Sequence, residues 1–74
     1  MNGKRRKDLE KFRIGVDVDD THQVEVKVSY SDWSVTDWVS AAEYGIELVR
    51  SQHPHARVEL AYVKEFHHEA PTFH

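Results

Sequence analysis

Residues 33–52 read WSVTDWVSAAEYGIELVRSQ, and this stretch decides the fold because it alone sustains a helical period. With Trp38 as the origin and the helical step between residues, Leu48, Ala41, Gly45, Trp38, Val49, Ala42, Val35, Ile46 and Val39 fall on an arc about half the circumference wide. The other half carries Thr36, Asp37, Ser40, Glu43, Glu47, Arg50 and Ser51, with Tyr44 at the boundary. Ser34 is the expected N-cap, with Asp37 adding negative charge to the first turn. Trp33 and Trp38 then take the spacing of a hydrophobic staple, which assigns Trp38 to the core and Trp33 to the start of the helix. The competing use of such a pair is as an exposed aromatic anchor. Pro54 cannot continue a helix and pushes His53 toward an extended conformation, so the helix is expected over about 35–52.

Upstream of the helix the period changes to two. Phe12, Ile14, Val16 and Val18 alternate with Arg13, Gly15 and Asp17, which predicts a half-buried strand over about 12–18. Asp19, Asp20 and Thr21 read as a turn. Val24, Val26, Val28 and Tyr30 then alternate with Gln23, Glu25, Lys27 and Ser29, a second strand over about 23–30 that most simply pairs with the first as a hairpin. After Pro54, HARVELAYVKEF predicts a third strand over about 56–66. Its inward parity is Val58, Leu60, Tyr62 and Phe66, with Lys64 as the one misfit. The outer sheet face would hold Arg13, Asp17, Glu25, Lys27, Arg57, Glu59 and Glu65, with no aromatic among them.

The expected architecture is α+β, a β-β-α-β chain with one helix on one face of a three-stranded, mainly antiparallel sheet. Strand order 2-1-3 with a right-handed crossover is preferred over parallel pairing of strands 2 and 3, because antiparallel neighbours suit so small a sheet. Ala41, Ala42 and Gly45 would let the helix sit close to it. Residues 1–10 read as a flexible basic arm, 11–66 as the domain and 67–74 as a polar tail.

Seventy-four residues without a cysteine make one domain that neither disulfides nor a thiolate metal site can reinforce. MNGKRRK is followed by DLEKF rather than an apolar run, so the reading predicts neither a secretory signal nor a membrane span, and a cytoplasmic protein. Lys4, Arg5, Arg6 and Lys7 place four of the ten basic residues in the first seven positions, leaving six against thirteen acidic residues from Asp8 onward. A basic arm thus precedes an acidic body.

Candidate chemistry is sparse. No cysteine nucleophile, Gly-rich phosphate loop or nucleophile elbow is present, so no enzyme activity and no cofactor are expected. Among the six histidines, His22, His53 and His55 would lie at one end of the sheet near Asp19 and Asp20, but their spacing matches no metal-ligand framework. Lys4–Lys7 could contact phosphates, which makes nucleic-acid binding through the arm the alternative function. Protein binding has broader support. Glu43, Tyr44 and Glu47 on the helix, and Glu25 and Lys27 on an open strand 2, are the residues expected to meet a partner, and strand 2 could pair with a second copy in a homodimer.

Residues 41–60, AAEYGIELVRSQHPHARVEL, form an Ala-rich helix, a proline and an A-R-V strand. This pattern resembles short accessory proteins of bacteriophages and mobile elements, including anti-CRISPR proteins and other inhibitors of host proteins. The resemblance implies a partner-binding, non-catalytic role, and carries no functional residue with it.

Overall fold

A computed structural model describes residues 9–67; the basic segment Lys4–Lys7 and the end of the polar tail, residues 68–74, lie outside the described residues. The elements are β1 (Glu10–Val18), β2 (His22–Ser29), α1 (Trp38–Gln52) and β3 (Val58–Glu65). They form one sheet in the order β2-β1-β3, with β1 antiparallel to both neighbours and α1 packed on one face. The fold is the α+β arrangement that the alternating strands and the single helical period imply.

β1 is the centre of the core. Phe12, Ile14, Val16 and Val18 on its inner face are almost wholly buried. Register sets Phe12 opposite Val28, Ile14 opposite Val26 and Val16 opposite Val24, so both strands present valine or larger apolar groups to the helix. Asp19 and Asp20 adopt positive φ angles of 54° and 60°, and the Thr21 N–H donates to Val18 O at 3.0 Å. Positive φ at both central positions is the type I′ geometry that matches the twist of a hairpin. The same turn is tied to the start of β3. Asp19 N–H donates to Arg57 O and Arg57 N–H donates to Asp19 Oδ1, each at 2.8 Å, while the Arg57 guanidinium pairs with the Asp20 carboxylate.

Two expectations are corrected. The first concerns the helix start. Asp37, not Ser34, is the N-cap, and α1 begins at Trp38. Ser34 is engaged one turn earlier, its N–H and hydroxyl both donating to Asp32 Oδ1 at 3.0 and 2.5 Å. Asp37 accepts from the Ser40 N–H at 2.8 Å, and Ser40 Oγ accepts from the N–H groups of Thr36 and Asp37 at 2.9 and 3.1 Å. This reciprocal capping box satisfies the Ser40 N–H of the first turn and the N–H of the cap itself. Trp38 becomes the first helical residue, a turn before Ala41, the first buried position of the helix. It shares the azimuth of the buried residues yet stays 61% exposed; Trp33 is 88% exposed. Val35 secures the chain before the helix instead, its side chain buried and its carbonyl accepting from Lys11 Nζ at 3.1 Å.

The second correction is on β3. Gly15 pairs with Tyr62 but Val16 pairs with Leu60, so Ala61 is an extra residue, a β-bulge that switches the facing of the strand. Val58 and Val63 pack against the core. Tyr62 and Lys64 turn to the open face with their partners Gly15 and Arg13, and Leu60 is left 40% exposed. The Phe66 ring joins them there, 5.1 Å from the Arg13 guanidinium and 5.0 Å from Lys64 Nζ. Lys64 ceases to be a misfit.

The buried stripe of α1 is narrower than its apolar arc. Only Ala41, Ala42, Gly45 and Val49 are buried, while Val39 and Leu48 at the arc's edges remain partly exposed. Small residues allow a close approach along a thin seam: a Cβ on Gly45 would fall 2.6 Å from Ile14 Cγ2. Gly45→Ala is therefore expected to destabilise the protein by about 1–3 kcal/mol through overpacking, despite gaining about 1 kcal/mol of helix propensity. Thermal melts should show this loss shrinking in an Ile14→Ala background; an unchanged melting temperature for Gly45→Ala alone would remove the contact from the account.

Candidate functional site

The sheet has one covered face and one open face, and the exposed functional groups divide between them. On the helix side, Trp33 and Trp38 bracket the short segment that leads into α1, with Val39 46% exposed beside Trp38. Their exposure follows from the polar chemistry of the segment. Asp32 with Ser34, and Asp37 with Ser40, form local side-chain hydrogen bonds that fix the backbone and leave the indoles outside. These bonds hold the carboxyls of Asp32 and Asp37 below the ordinary carboxylate range, through Ser34 in the first case and Ser40 in the second.

Of the helix residues expected to meet a partner, Glu43 and Glu47 are exposed, and Glu47 forms an i,i+3 ion pair with Arg50 at 3.3 Å. Tyr44 is part-buried and packs against the core, which makes it less an anchor than a boundary residue. Glu25 and Lys27 lie on the open face of β2, on the far side of the sheet from Glu43 and Glu47. The five residues therefore belong to two surfaces.

On the open face, register arranges side chains in rows across the three strands. One row is Lys27–Arg13–Lys64, the next is Glu25–Gly15–Tyr62 and the third is Gln23–Asp17–Glu59. Arg13 is held by Glu10 through two hydrogen bonds of 2.9 and 2.8 Å. Tyr62 reaches across the missing side chain of Gly15, where any Cβ would collide with its ring, and its hydroxyl donates to Glu25 Oε2 at 2.5 Å on the far strand. Gln23 Nε2 donates to Asp17 Oδ1 at 3.2 Å. Charge on this face thus runs from basic to acidic along the strands, with an aromatic ring between.

At the hairpin end, the rings of His22 and His53 approach edge to face with centroids 6.1 Å apart, while Thr21 Oγ1 lies 3.1 Å from His22 Nδ1. His55 does not complete a cluster with them: among the described residues no three His, Cys, Asp or Glu side chains converge as metal ligands. The depressions here, one lined by Asp17, Asp20, Thr21, His22 and Gln23 and another by Asp19, Gln52, His53, Pro54, His55 and Ala56, are shallow and open. No helix among the described residues is long and apolar enough to cross a membrane. Compared with protein-family models, with curated proteins and with solved structures, the chain matches none.

Sequence reasoning placed Tyr62 and Lys64 inward and so missed the aromatic and the third cation of the open face. The usable signal was Lys64 itself: a lysine at an inward position marks a parity that must change upstream of it. The Glu25 hydrogen bond first, and desolvation second, raise the Tyr62 phenol above its ordinary pKa of 10.0. The folded chain keeps this proton where the unfolded chain releases it. The associated stability is present below pH 10.0 and is lost as pH rises through the higher folded value. In an ultraviolet difference titration between the parent and Tyr62→Phe, Tyr62 should ionise above the range of an unfolded tyrosine, and Glu25→Gln should bring it down; no change on Glu25→Gln would exclude the hydrogen bond as the cause.

Proposed function

We propose that the chain is a small non-catalytic protein-binding module that acts in the cytoplasm through the surface at the start of its helix. One observation carries this reading: both tryptophans of the chain stand exposed, Trp33 at 88% and Trp38 at 61%. Tryptophan is the residue most enriched among those that dominate binding energy at interfaces, and large apolar groups left in water have a standing drive toward a partner. Val39 extends the apolar area, and Glu43 and Glu47 follow it along the helix at i,i+4 spacing. The partner chemistry this surface fits is an apolar pocket bordered by basic groups.

A second contact is supported at the edge of the sheet. β2 and β3 both lie at edges, but the bulge at Ala61 distorts β3, whereas β2 pairs with β1 without interruption from Phe12 to Val18. A partner strand, or β2 of a second copy, would add most readily there. The resemblance to phage accessory proteins supports an inhibitory setting, in which a rigid small domain occludes a surface of a host protein.

The test is affinity capture from nuclease-treated host lysate, with the captured protein then purified and titrated directly. Trp33→Ala and Trp38→Ala should each weaken the purified complex by tenfold or more, on the scale of an interface anchor at about 2 kcal/mol. Indole emission of the parent should shift to the blue on binding. Undiminished affinity in the double variant, with its fold verified by circular dichroism, would refute the assignment of this surface.

A further inference from the structure

The open sheet face contains a cost that the fold does not need. Lys27, Arg13 and Lys64 stand directly opposite one another on three adjacent strands, and like charges so placed repel. Arg13 is compensated by Glu10. Lys27 and Lys64 have no carboxylate partner among the described residues, whereas Arg50 and Arg57 face Glu47 and Asp20. About 7 Å further along the strands lies Tyr62, its ring set across Gly15 and its hydroxyl fixed by Glu25. The Phe66 ring is already engaged by Arg13 and Lys64, which leaves Tyr62 as the aromatic surface on offer.

We propose that this face binds single-stranded nucleic acid, with phosphates on the Lys27–Arg13–Lys64 row and a base stacked on the ring of Tyr62. The chemistry selects this ligand over others. The outer two cations are separated by two strand spacings, roughly 10 Å, so one small anion cannot engage the whole row while successive phosphates can. A base can lie on a ring held against a sheet only when it is unpaired, which excludes duplex. An acidic peptide would meet the cations but leave Tyr62 unused. The Asp17 and Glu59 row beyond Tyr62 repels phosphate and confines the strand to the basic half of the face. This site does not rest on the tryptophan surface.

The experiment is fluorescence anisotropy of the full chain with labelled oligouridine and oligothymidine of about 12 nucleotides, within the span of known single-strand sites, over a series of salt concentrations. Binding is expected at low salt and should fall as salt rises. Lys27→Ala with Lys64→Ala should weaken it at least tenfold and flatten the logarithmic salt dependence by about 1.4, at roughly 0.7 per lost phosphate contact. Tyr62→Leu, which keeps an apolar cover on Gly15, should lose about tenfold with the salt dependence unchanged. Three results would overturn the proposal: no binding of either oligonucleotide at low salt, binding that disappears on deletion of Asn2–Lys7 but is indifferent to the sheet variants, or equal displacement by polyglutamate. Circular dichroism of each variant separates lost binding from lost folding.

Discussion

Two consecutive residues of β1 hold the protein together from opposite sides. Ile14 points inward and occupies the space of the missing side chain of Gly45, which brings the helix down onto the sheet. Gly15 points outward and receives the ring of Tyr62, whose hydroxyl continues to Glu25 on β2. In both contacts a glycine is the socket and a large side chain from another element is the plug, so each ties two elements through the central strand. A domain this small has little apolar area to spare, and close approach at these two points is how it reaches interior packing density.

Polar groups determine which hydrophobic residues are left over. The capping box of Asp37 and Ser40, and the Asp32–Ser34 turn before it, fix the first helical residue at Trp38. The reciprocal bonds between Asp19 and Arg57 fix where β3 begins, next to the hairpin turn. With both ends of the crossover pinned in this way, the helix lies on a narrow seam of Ala41, Ala42, Gly45 and Val49, and its larger apolar residues Trp38, Val39 and Leu48 stay at the margin. Exposed indoles are then a consequence of local hydrogen bonding.

The sheet separates two kinds of surface chemistry. Apolar and acidic groups gather on the helix side, in Trp33, Trp38, Glu43 and Glu47, while cations with aromatic rings gather on the open face. An alternating strand sends neighbours to opposite faces, so Lys27 and Val26 can serve a surface and the core at once without compromise to either.

The sequence by itself determined the elements and their order. Period-two alternation in Phe12–Val18 and Val24–Val28, one helical period and a helix-stopping Pro54 leave few arrangements, and connection rules select β2-β1-β3 among them. These signals survive in isolation because each is repeated several times along the chain. What only the tertiary structure decided were single-residue events. Ser34 and Asp37 are both competent N-caps, and the choice falls to whichever lets Val35 reach the core while Lys11 meets its carbonyl. Ala61 could continue an unbroken strand, and the bulge there exists because it allows Val63 to face Ile14 and Tyr62 to cover Gly15 together. One inserted residue inverts the facing of everything after it, and no local periodicity records where the partner strand requires it.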